Sequence, residues 1–583
     1  ARSHHEMMFR HAYLQRFSEP LAGLQALSEV VAWAERTGDW VLATEVEAIQ
    51  GVLQCYADRW ADGVASIERS LALLRTLPKH EAKVSIPIRV WTANLLSPAE
   101  EGHPDDSGIF VDRLTIAGFD TVHSLFAWYA ASAGRIAEAE PVARTFIETA
   151  DGLSIEEKWI LASIGFAHHG LAMVEAATGS VEAARASWAI AARNFEAVRH
   201  FAVLAFARLS ELRDVVFPFL PDQPALRRRL AAEAEAAMVK AGGAFRPGVS
   251  PRIALLGCLV MDGRWEAVDA ILRELPNPGI TYLRREVLAA TVHMARFRDE
   301  TDLAWQLIHS VLPLGPVTSP GNSIHQEGLF CIRVAIHLAI DAGDLDLANS
   351  WMKAHDRWLE WNGARLGRAA GTLSRARLHL AGGDLDLAEV AAAEAIQQAT
   401  SPHQPLIVQA AHQMLAEVGL ARDDLELASE HAGIAHAISV ECETPLEQSQ
   451  TLLIQAQIQL ARGDQAGASI MLEEAAAIAA MLSASRIQRS VAHYQATLDR
   501  PMSQGGHPAG LTRREIEVLH LLAVQKTDRE IADALFISVH TASTHVKHVL
   551  SKLQVGSRRD AVDAAIGLGL LPDRALPALP SPA

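Results

Sequence analysis

Along the first 498 residues apolar positions return every three to four residues, the rhythm of amphipathic helices, in a background rich in Ala, Leu, Glu and Arg. The punctuation between helices is as regular as the helices. A turn residue or two, an apolar residue and then a small Ala recur as Gly343-Asp344-Leu345-Asp346-Leu347-Ala348 and Gly383-Asp384-Leu385-Asp386-Leu387-Ala388. The phrase returns as Asp423-Asp424-Leu425-Glu426-Leu427-Ala428 and Gly463-Asp464-Gln465-Ala466-Gly467-Ala468, 40 residues further on each time. Looser copies stand at Gly134-Arg135-Ile136, Gly179-Ser180-Val181, Gly263-Arg264-Trp265 and Thr301-Asp302-Leu303-Ala304. Gly38-Asp39-Trp40 and Asp58-Arg59-Trp60 read as further turns near the start. The Gly or Asp closes one helix and opens the next, and the Ala lets the paired helices approach.

A fixed period held over four copies predicts stacked helical hairpins of tetratricopeptide type over residues 1–498, rather than an irregular helical bundle. Four stretches interrupt the register: Ser97–Gly108, Phe217–Pro224, Gly242–Pro251 and Pro313–Ser323. They read as longer connections, where ligand-binding loops tend to sit. All twelve tryptophans lie at or before Trp361. Trp351 and Trp358 are seven apart and share a helix face, which suits packing between hairpins better than a ligand surface.

After Leu498 the pattern breaks. Residues 499–510 have the Pro, Gly and Ser content of a flexible linker, and 572–583 read as a disordered tail. Between them, 511–571 predicts four short helices, each with its own start signal. Thr512 with Glu515 and Thr527 with Glu530 fit the reciprocal capping box, Ser557 with Asp560 is a looser version, and Ser538 can cap the third helix. Asp528–Leu535, a turn at Phe536–Ser538 and Val539–Leu553 form a helix-turn-helix, whose second helix lies in the DNA major groove. Ile531, Leu535, Ile537, Ala542, Val546, Val549, Leu550 and Leu553 recur at helical spacing and can close a small core. The opposite face carries His540, Ser543, Thr544, Lys547, His548 and Ser551, of the size that reaches base edges and phosphates. Lys552, Arg558 and Arg559 extend its positive charge.

At these residues the segment resembles the LuxR-type DNA-binding domain. Leu511, Thr512, Arg514, Glu515, Glu517, Val518, Leu519, Glu530, Ile531, Ala532, Leu535, Ile537, Ser538, Thr541, His545, Lys552, Leu553, Val555, Arg558, Ala561 and Val562 fall in register with the family pattern. The resemblance covers about a tenth of the chain. Four positions depart from it. Gln525 and Gln554 stand where the family has glycine, Ala542 where it has valine, and Ser543 where it has a charged residue. A non-glycine residue at a left-handed helix end costs on the order of 1 kcal/mol. These departures bear on affinity and target sequence, not on the fold.

Composition separates the two regions further. The chain has 583 residues, too many for one core, with 52 Lys and Arg against 69 Asp and Glu. Residues 511–571 hold eight Lys and Arg against seven Asp and Glu, so the acid excess belongs to the body and argues against nucleic-acid binding there. Cys55, Cys258, Cys331 and Cys442 are scattered without CxxC spacing, which suits a reducing cytoplasm and offers no zinc or disulfide framework. The longest compact apolar run, Ile253–Met261, is too short for a membrane span, and no secretory leader opens the sequence. No GxxxxGK[ST], HExxH, GxSxG or GxGxxG context occurs, and no catalytic constellation is visible.

A helical-repeat body ending in a LuxR-type domain also resembles the C-terminal part of the large ATP-dependent, MalT-like LuxR regulators. In that group a nucleotide-binding module precedes the array, so ATP would enter only through such a module upstream, and a start at Ala1 fits its removal. The whole chain thus reads as an all-α cytoplasmic transcription regulator with no cofactor of its own. Lys547, Ser543, Thr544 and His548 are expected at bases or nearby phosphates. Thr541, His545, Lys552, Arg558 and Arg559 are expected to position the domain on the backbone. The expected partners are double-stranded DNA, an inducer or partner protein on the array, RNA polymerase and a second copy of the chain. By the resemblance, the second copy would meet the helix Ser557–Gly567. The rival reading is a tetratricopeptide-type scaffold whose terminal domain no longer reads DNA.

Overall fold

The computed structural model describes residues 2–14, 19–76, 121–151, 158–242, 249–275, 281–498, 511–535, 537 and 539–571. Among them the secondary structure is helical, apart from one isolated β-bridge between Thr400 and His403. Ser97–Gly108, the linker 499–510, the tail 572–583, Ser538 and most of Gly242–Pro251 lie outside the described residues.

The forty-residue phrase is a compact piece of capping chemistry. Gly343, Asp423 and their counterparts Gly383 and Gly463 adopt φ between 63° and 81°, the left-handed region in which a helix ends. The next residue caps the following helix. The Asp344, Asp384, Asp424 and Asp464 carboxylates accept the N–H of Leu347, Leu387, Leu427 and Gly467 at 2.9, 3.1, 3.1 and 2.9 Å. The Ala that completes the phrase is fully buried at 348, 388, 428 and 468. At the third copy a Cβ on Gly419 would lie 2.9 Å from the Ala428 nitrogen, so this crossing has room only for small residues. Gly38 and Asp39 repeat the device near the N-terminus, with Asp39 accepting the Leu42 N–H at 3.2 Å.

Successive helices pack antiparallel against their chain neighbours as hairpins, the tetratricopeptide-like architecture the period predicts. A second beat is present as well. The partner helices begin at Pro405, Pro445 and Ser485, again forty residues apart, two of them with proline in the first turn. The array coils far enough for one superhelical turn to touch the next. Arg284 Nη1 meets Asp58 Oδ2 at 2.6 Å. The Arg365 and Leu366 N–H groups donate to the Ala177 carbonyl at 2.8 and 3.0 Å. Arg489 pairs with Asp299, one bond being 2.9 Å, and Arg486 meets Asp341 at 2.5 Å.

Arg227 is the strongest tie. Fully buried, it donates to Asp262 Oδ1 from Nε and Nη2 at 3.0 and 2.6 Å, and to the Pro221 carbonyl at 2.8 Å. It also donates to the carbonyls of Cys442 and Glu443, at 2.8 and 3.1 Å, in the neighbouring turn 215 residues along the chain. The superhelix therefore closes against itself along a polar seam.

One sequence expectation needs correcting. Phe217–Pro224 is not a long loop. A π-helical turn at Leu212–Val216 carries the helix on through Phe217–Phe219, and only Leu220–Gln223 turns the chain. Pro313–Ser323 is an ordered connection with a short 3-10 turn, fastened by Trp358 Nε1 to the Thr318 carbonyl at 3.0 Å and by Arg357 to the Pro316 carbonyl at 2.7 Å. Trp351 and Trp358 are buried and share one apolar cluster, as packing residues should. All four cysteines are buried. Among the described residues no helix is long and apolar enough to cross a membrane.

Candidate nucleic-acid interface

The C-terminal unit consists of helices Arg513–Ala523, Asp528–Leu535, Val539–Lys552 and Arg558–Gly567. Their starts are set by side-chain caps. The Thr512 hydroxyl accepts the Glu515 N–H at 3.3 Å, and the Glu515 carboxylate accepts the Thr512 N–H at 2.7 Å. Thr527 and Glu530 make the same exchange at 3.3 and 2.9 Å. Ser557 accepts the Asp560 N–H at 3.2 Å. The ends of the first and third helices are left-handed at Gln525, φ 59°, and Gln554, φ 56°, so both sites keep a conformation that favours glycine without having one.

Ile531, Ala532, Ala542, Val546 and Val549 are buried between the helices, with Leu535, Ile537, Leu550 and Leu553 packed around them. Ala542 is wholly enclosed, so the family's larger valine has its counterpart here in the core and not on the outer face. That core fixes which side of Val539–Lys552 faces outward.

The nine residues read from the sequence as facing DNA fall into three groups. Lys547, His548 and Arg559 are exposed, and neither Lys547 nor Arg559 makes an ion pair among the described residues. Thr541, Thr544 and His545 are half-buried on the flank of the same helix. The remaining three are engaged within the domain. The Ser543 hydroxyl donates to Asp528, and the other oxygen of that carboxylate accepts Arg558 Nη2 at 2.6 Å. Lys552 Nζ donates to Glu515 Oε2 at 2.8 Å. Ser543, Arg558 and Lys552 therefore brace the outer helix against its neighbours.

Sequence reading missed Asp528 and Glu515 as the anchors of these braces, and Arg514, which donates to the Leu535 carbonyl at 2.6 Å and pairs with Glu517 at 2.8 Å. The available signal was positional. An acid in the first turn of a helix is favoured by the helix dipole and is also placed to meet a basic partner.

Environment sets the charges. Burial pushes the Glu515 carboxyl up, but the bonds from Lys552 and Thr512 outweigh it and hold the group below the usual range. Lys526 and the Thr527 cap pull Glu530 down to about 2. Burial, reinforced by nearby Arg514, lowers His545, whose ring is neutral near pH 7. The outer face thus presents one lysine at mid-helix, flanked by histidine and small hydroxyls. A helix of 14 residues is about 21 Å long, and a major groove about 12 Å wide admits it.

Residues 509–565 match the family described as bacterial regulatory proteins, luxR family. The transcriptional regulatory protein LiaR of Bacillus subtilis (strain 168) is 49% identical over 51 residues, 9% of this chain and 24% of that protein. The transcriptional activator protein ExaE of Pseudomonas putida is 40% identical over 116 residues, 18% of this chain and 54% of that protein. The chain thus spans about a quarter to a half of the length of these relatives. Among solved structures, the APC/C hetero-tetramer Cut9-Hcn1 aligns over 96% of this chain and 98% of that one, at 11% identity and TM-score 0.41. A Rap protein complexed with competence and sporulation factor aligns over 65% of this chain and 97% of that one, at 11% identity and TM-score 0.34. The hairpin architecture stands on the helices and caps of this chain, not on those alignments. Residues 509–565 are thus similar to the luxR family of bacterial regulatory proteins and are joined to a tetratricopeptide-like array.

Proposed function

We propose that the chain is a sequence-specific transcription regulator that binds duplex DNA through Val539–Lys552 and receives its signal on the helical array. The observation that carries this reading is Lys547, exposed and, among the described residues, without a carboxylate partner at the middle of the helix that the domain core turns outward. Lys547 and His548 reach the groove, with Thr544 beside them, and Arg559 meets a phosphate. Thr541 and His545 lie nearer the backbone, while Ser543, Lys552 and Arg558 hold the helix at its angle.

One such domain has a small footprint, so two copies on paired half-sites, joined through Arg558–Gly567, are the working unit. The signal is a ligand or protein bound by the array, the site of action is the cytoplasm, and RNA polymerase is the downstream partner. No catalytic step and no cofactor of this chain enters the scheme, and ATP would act only through a nucleotide-binding module upstream.

Capture of fragmented genomic DNA by the whole chain, beside its Lys547→Ala variant, tests the reading. Discrete enriched sites that vanish in the variant support it. Sites that persist in the variant remove this helix from the groove. No enrichment under any condition favours the scaffold alternative.

A further inference from the structure

The array buries charge where its superhelical turns meet. Arg213 donates from Nε and Nη2 to the Asp214 carboxylate at 2.9 and 2.8 Å, and from Nη2 to Ser210 Oγ at 3.3 Å. Its Nη1 group has no hydrogen-bond partner. The Oε1 atom of Glu286 stands 3.6 Å from it and is itself unbonded. Beside Arg213, His325 is 1% exposed, and neither ring nitrogen is hydrogen-bonded. Both residues line a cavity of about 20 Å³ that Asp214 and Asn362 also border, with Met173 and Leu366 as its apolar wall. Asn362, likewise buried, accepts the Ala364 N–H at 2.7 Å through its side-chain oxygen, which leaves its NH2 group as a donor.

Buried donors are rarely left unmet, because the lost hydration is not recovered. Here three residues that carry donors border one cavity: Arg213, His325 and Asn362. His325 supplies an N–H and not a cation, since burial, with Arg333 nearby, pushes its pKa down to about 3. Burial also pushes Glu286 and Glu327, two carboxyls near Arg213, up to about 7 and about 8. They therefore hold protons for part of the time near neutrality and compete weakly for the guanidinium. Asp214 already holds the Nε and Nη2 edge of Arg213, so only Nη1, with the donors of His325 and Asn362, is left for a ligand, and that set suits a planar, two-oxygen acceptor.

We propose that this cavity is the effector site of the array and that it recognises the carboxylate of a small monocarboxylic acid, held by Arg213, His325 and Asn362. The proposal rests on the reading of the array as the sensor. A cavity of about 20 Å³ takes a group little larger than water, so the head group enters and the rest of the acid follows the seam. The walls come from both superhelical turns, Ala131–Ile136, Met173–Ala177 and Arg213–Asp214 on one side, Ile324–Gln326 and Asn362–Leu366 on the other. A ligand that bridges them binds the closed seam better than an open one, and that difference is what shifts a conformational equilibrium.

Calorimetric titration of the full chain with acetate, propionate, glycine and methylammonium tests this. Saturable binding of acetate and propionate is expected, with methylammonium inert. Arg213→Gln is expected to weaken binding by about tenfold or more, the loss of one charge-assisted contact, and Asn362→Ala by about threefold. Because Arg213→Gln also breaks the Asp214 pair, a second readout uses the unaltered chain. Bound acetate should slow amide exchange at Arg365 and Leu366, whose N–H groups cross the seam to Ala177. Absence of saturable carboxylate binding overturns the proposal, as does binding that both variants keep in full. Preference for methylammonium overturns the assigned ligand class. Carboxylate binding with unchanged affinity for DNA keeps the site and contradicts the sensor reading instead.

Discussion

The helical array hides its polar chemistry, and the DNA-binding domain displays it. In the array Arg227 is fully enclosed among a carboxylate and three backbone carbonyls, and His169, His293, His325 and His355 are held neutral by burial. In the terminal domain Glu515 and Glu530 sit at helix starts with lysine partners and stay ionised. The glutamates are pushed in opposite directions, Glu286 and Glu327 up in the array and Glu515 and Glu530 down in the terminal domain, because one pair has lost water and the other has gained donors. The array uses charge to close its turns on each other, and the terminal domain uses it to orient a helix that faces outward.

The sharpest way to break that contrast is to cut the array's main tie. Arg227→Met leaves the Cys442 and Glu443 carbonyls without their donor and Asp262 with only Arg228, a loss of about 3–5 kcal/mol by analogy with other buried pairs. Urea unfolding of the array measures it, and a change below about 1 kcal/mol, the scale of an exposed pair, would mean the seam is not a structural joint.

The two regions should respond differently to pH above about 6.5. In the array the folded pKa values of Glu286 and Glu327, about 7 and about 8, lie above those of the unfolded chain, so above about 6.5, where the buried histidines are neutral in both states, stability falls as pH rises to about 8. Below about 6.5 the lowered values of His169, His293, His325 and His355 make it fall as pH drops. In the terminal domain the folded values of Glu515 and Glu530 lie below the unfolded ones. Their contribution is full above about 4.3 and is lost as pH falls toward 2. Calorimetric melting from about pH 6.5 to 8 should show the array transition falling while that of the terminal domain holds, and parallel shifts would refute the contrast.

Single caps probe the smaller terms. Asp424→Ala removes the bond to the Leu427 N–H and should cost about 1 kcal/mol in the array. Gln554→Gly should stabilise the terminal domain by about 0.5–1 kcal/mol, since φ 56° strains any residue with a Cβ. Thermal melting reads both, and a loss of stability in Gln554→Gly would show that the glutamine side chain earns its place by contact.

Much of this was legible in the sequence because much of it is local. The forty-residue phrase is a left-handed residue followed by a capping aspartate, and both requirements fall within four residues, at Gly383 to Leu387 for example. The Thr512–Glu515 and Thr527–Glu530 boxes are equally short-range. What stayed hidden depends on partners far along the chain. Nothing near Arg227 announces a bond to Cys442, and nothing near His325 announces a cavity shared with Arg213. The π-helical turn at Leu212–Val216 carried the helix past Phe217, where the stretch to Pro224 had read as a longer connection. In the terminal domain the outward face was legible from apolar spacing. Its division was not, because spacing does not show that Asp528 engages both Ser543 and Arg558.

The central claim is that Lys547 reads DNA from an outward-facing helix. The most direct measurement is the affinity of the full chain and of Lys547→Ala for one recovered genomic site, taken at several salt concentrations. A loss of about 1–3 kcal/mol with unchanged melting, or a salt dependence shallower by about one phosphate contact, is the predicted result. Equal affinity and equal salt dependence for the two proteins would contradict the account.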